Sequence, residues 1–120
     1  MEKFQMFIDG AHVDAVGGRA MPVVDPGTGE TFAQVPCGDE RDVHAAVMAA
    51  RAALESGVWS GMTPQARAQV LIRFADLVES QSGRIAMADS RSNGGTVAWV
   101  GGGVWVAANS MRNMAWYAAN

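Results

Sequence analysis

Cysteine occurs once in this chain, at Cys37, and tyrosine once, at Tyr117. A single cysteine excludes an intramolecular disulfide and suits a reducing compartment, so the expected location is the cytoplasm. Cys37 lies in the turn Pro36-Cys37-Gly38. A nucleophilic thiol needs a lowered pKa and a base within reach. Nothing in the turn supplies either, so Cys37 reads as a loop thiol. Histidine is equally scarce. His12 and His44 are far apart and have no Cys, Asp or Glu at ligand spacing, so neither metal binding nor acid–base work is expected of them. Charged residues make up 18% of the chain, with a net charge of -3. That balance offers no basic surface for nucleic acid or an anionic membrane. A membrane-spanning run is also lacking. No charge falls between Arg91 and Arg112, but Gly94, Gly95, Gly101, Gly102 and Gly103 interrupt the stretch, and its apolar runs fall well short of the ~20 residues a span needs. No apolar leader follows Met1-Glu2-Lys3. Phosphate-binding loops are missing too. Gly27-Thr28-Gly29 starts a Gly-x-Gly-x-x-Gly pattern, but Phe32 stands where the last glycine belongs.

What is present is a patterned chain of 120 residues, 49% hydrophobic, the length of one domain. Gln5 to Val13 reads as a hairpin about Asp9-Gly10, a pair that suits a type I′ turn. Val16 to Arg19 reads as a second turn. Met21–Val24 reads as a short strand, with Pro22 marking an edge because proline cannot donate to the ladder. Asp25 to Gly29 is a further turn. Thr31–Val35 alternates as a strand, and Pro36 should end it. These segments define a β-hairpin region over 5–36.

A helical region is expected over 39–120. Asp39 can cap a first helix with an apolar face of Val43, Ala46, Val47, Ala50 and Leu54, closed at Ser56-Gly57. Thr63-Pro64 opens a second, with a stripe of Val70, Leu71, Phe74, Leu77 and Val78. Arg67, Arg73 and Glu79 fall largely off that stripe, as a solvated face would. A bend is expected at 80–83, a short helical stretch through Ile85 and Met87, and a break at Ser92 to Gly95. The last segment carries a helical stripe of Val97, Val100, Val104, Ala108, Met111 and Ala115. Each of its three central glycines costs about 0.8–1.0 kcal/mol in a helix, so this helix is expected to fray or break at Gly101–Gly103.

Several motifs stand in a distinctive order and spacing: Phe7-Ile8-Asp9-Gly10, Val24-Asp25-Pro26-Gly27-Thr28-Gly29-Glu30, Ala33-Gln34-Val35-Pro36 and Asp42-Val43-His44-Ala45-Ala46-Val47. Trp59-Ser60, Thr63-Pro64, Arg67, Leu71-Ile72-Arg73, Ala75-Asp76-Leu77 and Glu79 follow, and Trp116-Tyr117-Ala118 comes near the end. Together they resemble the amino-terminal part of the aldehyde dehydrogenase superfamily, with Trp116-Tyr117-Ala118 similar to the family's helix end. The chain departs from the pattern before its last helix. Ser92 and Gly95 stand in Ser92-Asn93-Gly94-Gly95, where the family often has an acid and a lysine, and Gly101–Gly103 is unusual for that helix.

The resemblance implies an α/β fold: the first, incomplete part, 1–120, of a Rossmann-like cofactor-binding domain, with β-hairpins followed by helices. It implies an oxidoreductase that converts an aldehyde to a carboxylic acid with NAD or NADP, through a cysteine thiolate and a glutamate base. No catalytic or cofactor-binding residue is expected in this chain, and no cofactor is expected to bind it alone. The last helix corresponds to a wall of the substrate tunnel, which makes Trp105, Asn109, Arg112 and Trp116 the candidates; an arginine there could favour a carboxylate-bearing aldehyde. Val23, Val24 and Ser92 match a monovalent-cation position, weakened because Ser92 replaces the acid. The implied partners are the remainder of the dehydrogenase chain or a complementing chain, the aldehyde substrate, and further copies in a homo-oligomer; nucleic acid and membrane are not among them. The alternative is a stand-alone binding or assembly module, or one half of a split enzyme. Because the chain ends within a helix pattern, truncation is the favoured expectation. Alone, it should be partly folded or prone to associate.

Overall fold

The computed structural model describes residues 1–120. The chain forms two compact units, Met1–Ser60 and Gly61–Asn120.

The first unit holds five strands and one helix: β1 Glu2–Lys3, β2 Met6–Ile8, β3 Ala11–Val13, β4 Ala20–Val24, β5 Thr31–Pro36 and α1 Glu40–Glu55. β2 and β3 make the expected antiparallel hairpin, with Phe7 opposite His12. Asp9 and Gly10 both have positive φ, 54° and 75°, as a type I′ turn demands. The other sheet has the order β1-β5-β4. β4 is antiparallel to β5 and β1 is parallel to it. Pro22 thus sits on an edge strand, as expected of a residue that cannot donate to the ladder. Pro36 lies within β5, its last residue, and pairs with Ala20.

Backbone bonds close the turns of this unit. The Gly29 N–H donates to the Asp25 carbonyl at 2.7 Å, and the Gly18 N–H to the Ala15 carbonyl at 2.8 Å. Asp39 caps α1 in a capping box completed by Asp42. The buried Asp42 carboxylate accepts from the backbone N–H groups of Val16 at 3.0 Å and Asp39 at 2.8 Å. One acid therefore joins the turn before β4 to the start of α1. The expected burial of the α1 apolar face is not seen. Asp42 is the one buried residue of α1, and Val43, Val47 and Leu54 are exposed. The face exists because 3.6 periodicity builds it locally, whereas covering it needs a sheet surface this unit does not bring to it.

The second unit is helical: α2 Pro64–Ser80, α3 Ser82–Asn93 and α4 Val97–Ala119. Thr63 caps α2 through the Ala66 N–H, and Thr96 caps α4 through the Trp99 N–H. α2 and α4 run antiparallel, since the Gln65 side chain donates to the Ala119 carbonyl while Arg112 reaches back to Asp76. Their buried residues are mostly small: Ala68 and Ala75 on α2, Val100, Val104, Ala108 and Ala115 on α4. This corrects the α2 stripe, because Phe74 and Leu77 are exposed. Alanines let two helix backbones approach closely, so the bulky neighbours turn outward. Arg73 and Glu79 are exposed as expected, Glu79 while bonded to Arg112, and the half-buried Arg67 donates from its guanidinium to the Met62 carbonyl.

The largest correction concerns α4, which runs unbroken through Gly101–Gly103 for 23 residues. A cost of about 3 kcal/mol for the glycines is outweighed by the buried stripe on either side of them. At Gly101 a Cβ would fit in ordinary van der Waals contact, 3.9 Å from the Ala86 Cβ of α3.

Candidate functional site

α4 offers the chain's most distinctive surface. Its buried line passes through Val100, Val104, Ala108 and Ala115, and aromatics occupy much of the rest. Trp105 and Trp116 are 60% and 62% exposed, so neither is a core aromatic. Trp116 stacks edge-on against Tyr117 with ring centroids 5.1 Å apart. Asn109 is half-buried, and its amide donates to the Trp105 carbonyl one turn back at 3.2 Å. The spacing of Trp105, Asn109, Arg112 and Trp116 does place them on one side of α4. That spacing does not reach Trp99 and Tyr117, which are exposed as well; the two lie 18 residues apart, or five turns at 3.6 residues per turn.

Arg112 behaves differently from its neighbours. One terminal nitrogen of its guanidinium bonds Asp76 Oδ1 at 2.7 Å and Glu79 Oε2 at 2.5 Å. The hydrogen bonds to Asp76 and Glu79 hold the guanidinium pKa above its usual value. Asp76 and Glu79 sit three residues apart on α2, hence on one face. The sole charged side chain of α4 is therefore spent on a neighbouring helix.

A groove of 790 Å³ runs beside the N-terminal half of α4, lined by Trp99, Gly102, Gly103, Trp105 and Val106, with Asp89 and Asn93 contributed by α3 and its end. The corner between α3 and α4 is tight. The Gly95 N–H donates to Asn93 Oδ1 at 2.6 Å, and Ser90 Oγ donates to the Gly95 carbonyl at 2.6 Å. A Cβ on Gly95 would meet Asn93 Oδ1 at 2.9 Å and Val100 Cγ2 at 3.1 Å. A side chain at this position would require Asn93 Oδ1 and Val100 Cγ2 to give way.

The remaining candidates are on other elements. Val23 and Val24 are in β4 of the first unit, whereas Ser92 is in α3 of the second, its hydroxyl donating to the Ala88 carbonyl at 2.7 Å. No group of three or more His, Cys, Asp or Glu side chains is disposed to hold a metal ion. Cys37 is half-buried, and its N–H bonds the Arg19 carbonyl at 2.8 Å. His12 packs edge-on against Phe7 with centroids at 5.3 Å, and His44 is exposed on α1. Gly27–Gly29 forms a turn folded on Asp25, not an open phosphate cradle. No helix is long and apolar enough to cross a membrane.

The profile of the aldehyde dehydrogenase family matches residues 12–120. Over 90 residues, 75% of this chain, the sequence is 44% identical to aldehyde dehydrogenase family 2 member B4, mitochondrial, of Arabidopsis thaliana, of which it covers 17%. It is 42% identical over 90 residues to phenylacetaldehyde dehydrogenase of Pseudomonas fluorescens, of which it covers 18%. The NAD-dependent aldehyde dehydrogenase of Sinorhizobium meliloti superposes with a TM-score of 0.94 at 30% identity, over 99% of this chain and 24% of that one. The chain thus spans less than a quarter of the length of each of these relatives.

Proposed function

Because the chain belongs to the aldehyde dehydrogenase family, we propose that it serves as the N-terminal part of a complete dehydrogenase that oxidises an aldehyde to a carboxylic acid with NAD or NADP. Its fold is α/β, matching the N-terminal cofactor-binding region of those enzymes and incomplete as a domain. The observation that carries the proposal is the superposition over 99% of this chain on 24% of an NAD-dependent enzyme. Family membership names the reaction, and the short span supports assigning its chemistry to other segments. The residues present form no glycine-rich phosphate loop, Gly27–Gly29 being folded on Asp25. No step of the reaction is assigned to them.

What the chain contributes is shape. In this reading α4 is one wall of the substrate passage, facing it with Trp105, Asn109 and Trp116. The exposed apolar faces Val43/Val47/Leu54 and Phe74/Leu77 are covered by the remaining segments, joined covalently or supplied by a complementing chain. Homo-oligomeric assembly of the complete enzyme belongs to the same reading. So does a cytoplasmic site, for which the single cysteine speaks; the Arabidopsis relative carries a mitochondrial designation.

The test is to assay residues 1–120 alone and together with the remaining segments, following NADH formation from benzaldehyde. Turnover should need the added segments, and Trp105→Ala or Trp116→Ala should then raise KM for benzaldehyde more than it lowers kcat. Turnover by the 120-residue chain alone would overturn the fragment reading. An unchanged KM in both tryptophan variants would remove α4 from the substrate passage.

A further inference from the structure

We propose that Arg112 is a positioning residue that sets the register of α4 on α2, and that it takes no part in binding a substrate carboxylate. The proposal rests on the reading of α4 as a substrate-facing wall and assigns that wall its substrate class: aldehydes without a negative charge.

The buried seam between the two helices contains Ala68 and Ala75 on one side and Ala108 and Ala115 on the other, both pairs spaced by seven residues. Such a seam permits close approach but carries little register information, because one alanine fits another's place. Directional bonds must supply the register. Two side chains supply them: Gln65, which donates to the Ala119 carbonyl, and Arg112, which donates to both Asp76 and Glu79. Arg112 matters more because α4 carries three consecutive glycines in its N-terminal half and is intrinsically weak there.

The same bonds decide selectivity. One guanidinium faces two carboxylates, so the cluster has a net charge of -1. An incoming carboxylate would have to displace a resident one and would meet like charge. The groove beside α4 holds Asp89 and no cation. An aldehyde bearing a carboxylate finds no unengaged positive charge along α4, whereas an uncharged aryl or alkyl aldehyde finds indole and aliphatic surface.

Amide exchange of the 120-residue chain, read by mass spectrometry and therefore tolerant of self-association, tests both halves. Arg112→Met should speed exchange over residues 104–116 by roughly three- to tenfold, the range for charged bonds that remain part-exposed. Arg112→Lys should fall between, since lysine keeps the charge but not the planar fork. The double variant Asp76→Asn with Glu79→Gln should reproduce the effect, and adding Arg112→Met to it should change little. Unchanged exchange in Arg112→Met, or full additivity with the double variant, would overturn the positioning role. Benzaldehyde and 4-carboxybenzaldehyde are then added separately. The carboxylate probe should protect α4 no more than benzaldehyde does. Stronger protection by 4-carboxybenzaldehyde that disappears in Arg112→Met would show a carboxylate receptor instead. None of these readouts depends on turnover, so their failure is distinct from failure of the tryptophan variants in the completed enzyme.

Discussion

The two units solve the same problem with different means. In Met1–Ser60 the order comes from backbone bonds within short turns, from caps, and from one buried carboxylate. Ala15 and Ala33 are its only buried apolar residues. In Gly61–Asn120 the order comes from side-chain burial, with alanines and valines of three helices forming the buried set. The first unit is thus specified by local chemistry and has little core. The second has a core built from small residues, and its large ones point outward. Burial, not residue size or hydrophobicity, therefore marks the positions that matter in each.

That contrast can be broken most severely in the alanine seam. Ala115→Leu should destabilise the helical unit by about 1–3 kcal/mol through overpacking, because Ala115 is fully buried. Region-resolved amide exchange should show the loss in α2 and α4 but not in β4 and β5. Comparable in size is Asp42→Ala, which strands the N–H groups of Val16 and Asp39. A cost of about 1–3 kcal/mol is expected from losing bonds to a buried charged acceptor, and urea unfolding followed at α1 should register it.

Glycine sharpens the comparison with opposite signs. Gly10 has a φ of 75°, so Gly10→Ala should cost on the order of 1 kcal/mol. Gly102 lies in a helix with open space where a Cβ would go, so Gly102→Ala should gain up to about 1 kcal/mol. Denaturant midpoints of the two variants should move in opposite directions. The smallest effect is the acid response of the α1 cap. The hydrogen bonds from Arg41 lower the Asp39 pKa from 3.8 to about 2. A lowered folded-state pKa contributes stability that is complete above the unfolded value and is lost as pH falls through the folded one. Helicity of α1 should hold above about pH 4 and decline toward pH 2, and Asp39→Ser should flatten that decline.

Much of the β region was legible because its determinants are neighbours in sequence. Asp9-Gly10, Pro22, Asp25 to Gly29 and the Asp39 cap each act across a few residues, and each stands where its local chemistry places it. β1 was not legible, since a pair of residues has no periodicity. The α4 face was half legible. Spacing put Trp105, Asn109, Arg112 and Trp116 on one side, but it could not say that both indoles stay exposed or that Arg112 is engaged.

What the sequence determined by itself was therefore the family, the order of the elements, and the turns and caps that bound them, all properties of short-range pattern. The tertiary structure decided which residues of each apolar stripe are buried, whether α4 survives its glycines, and where its one charge goes. Those outcomes depend on partners distant in the chain. Asp76 lies 36 residues from Arg112, and only the antiparallel packing of α2 on α4 brings the two within hydrogen-bonding reach.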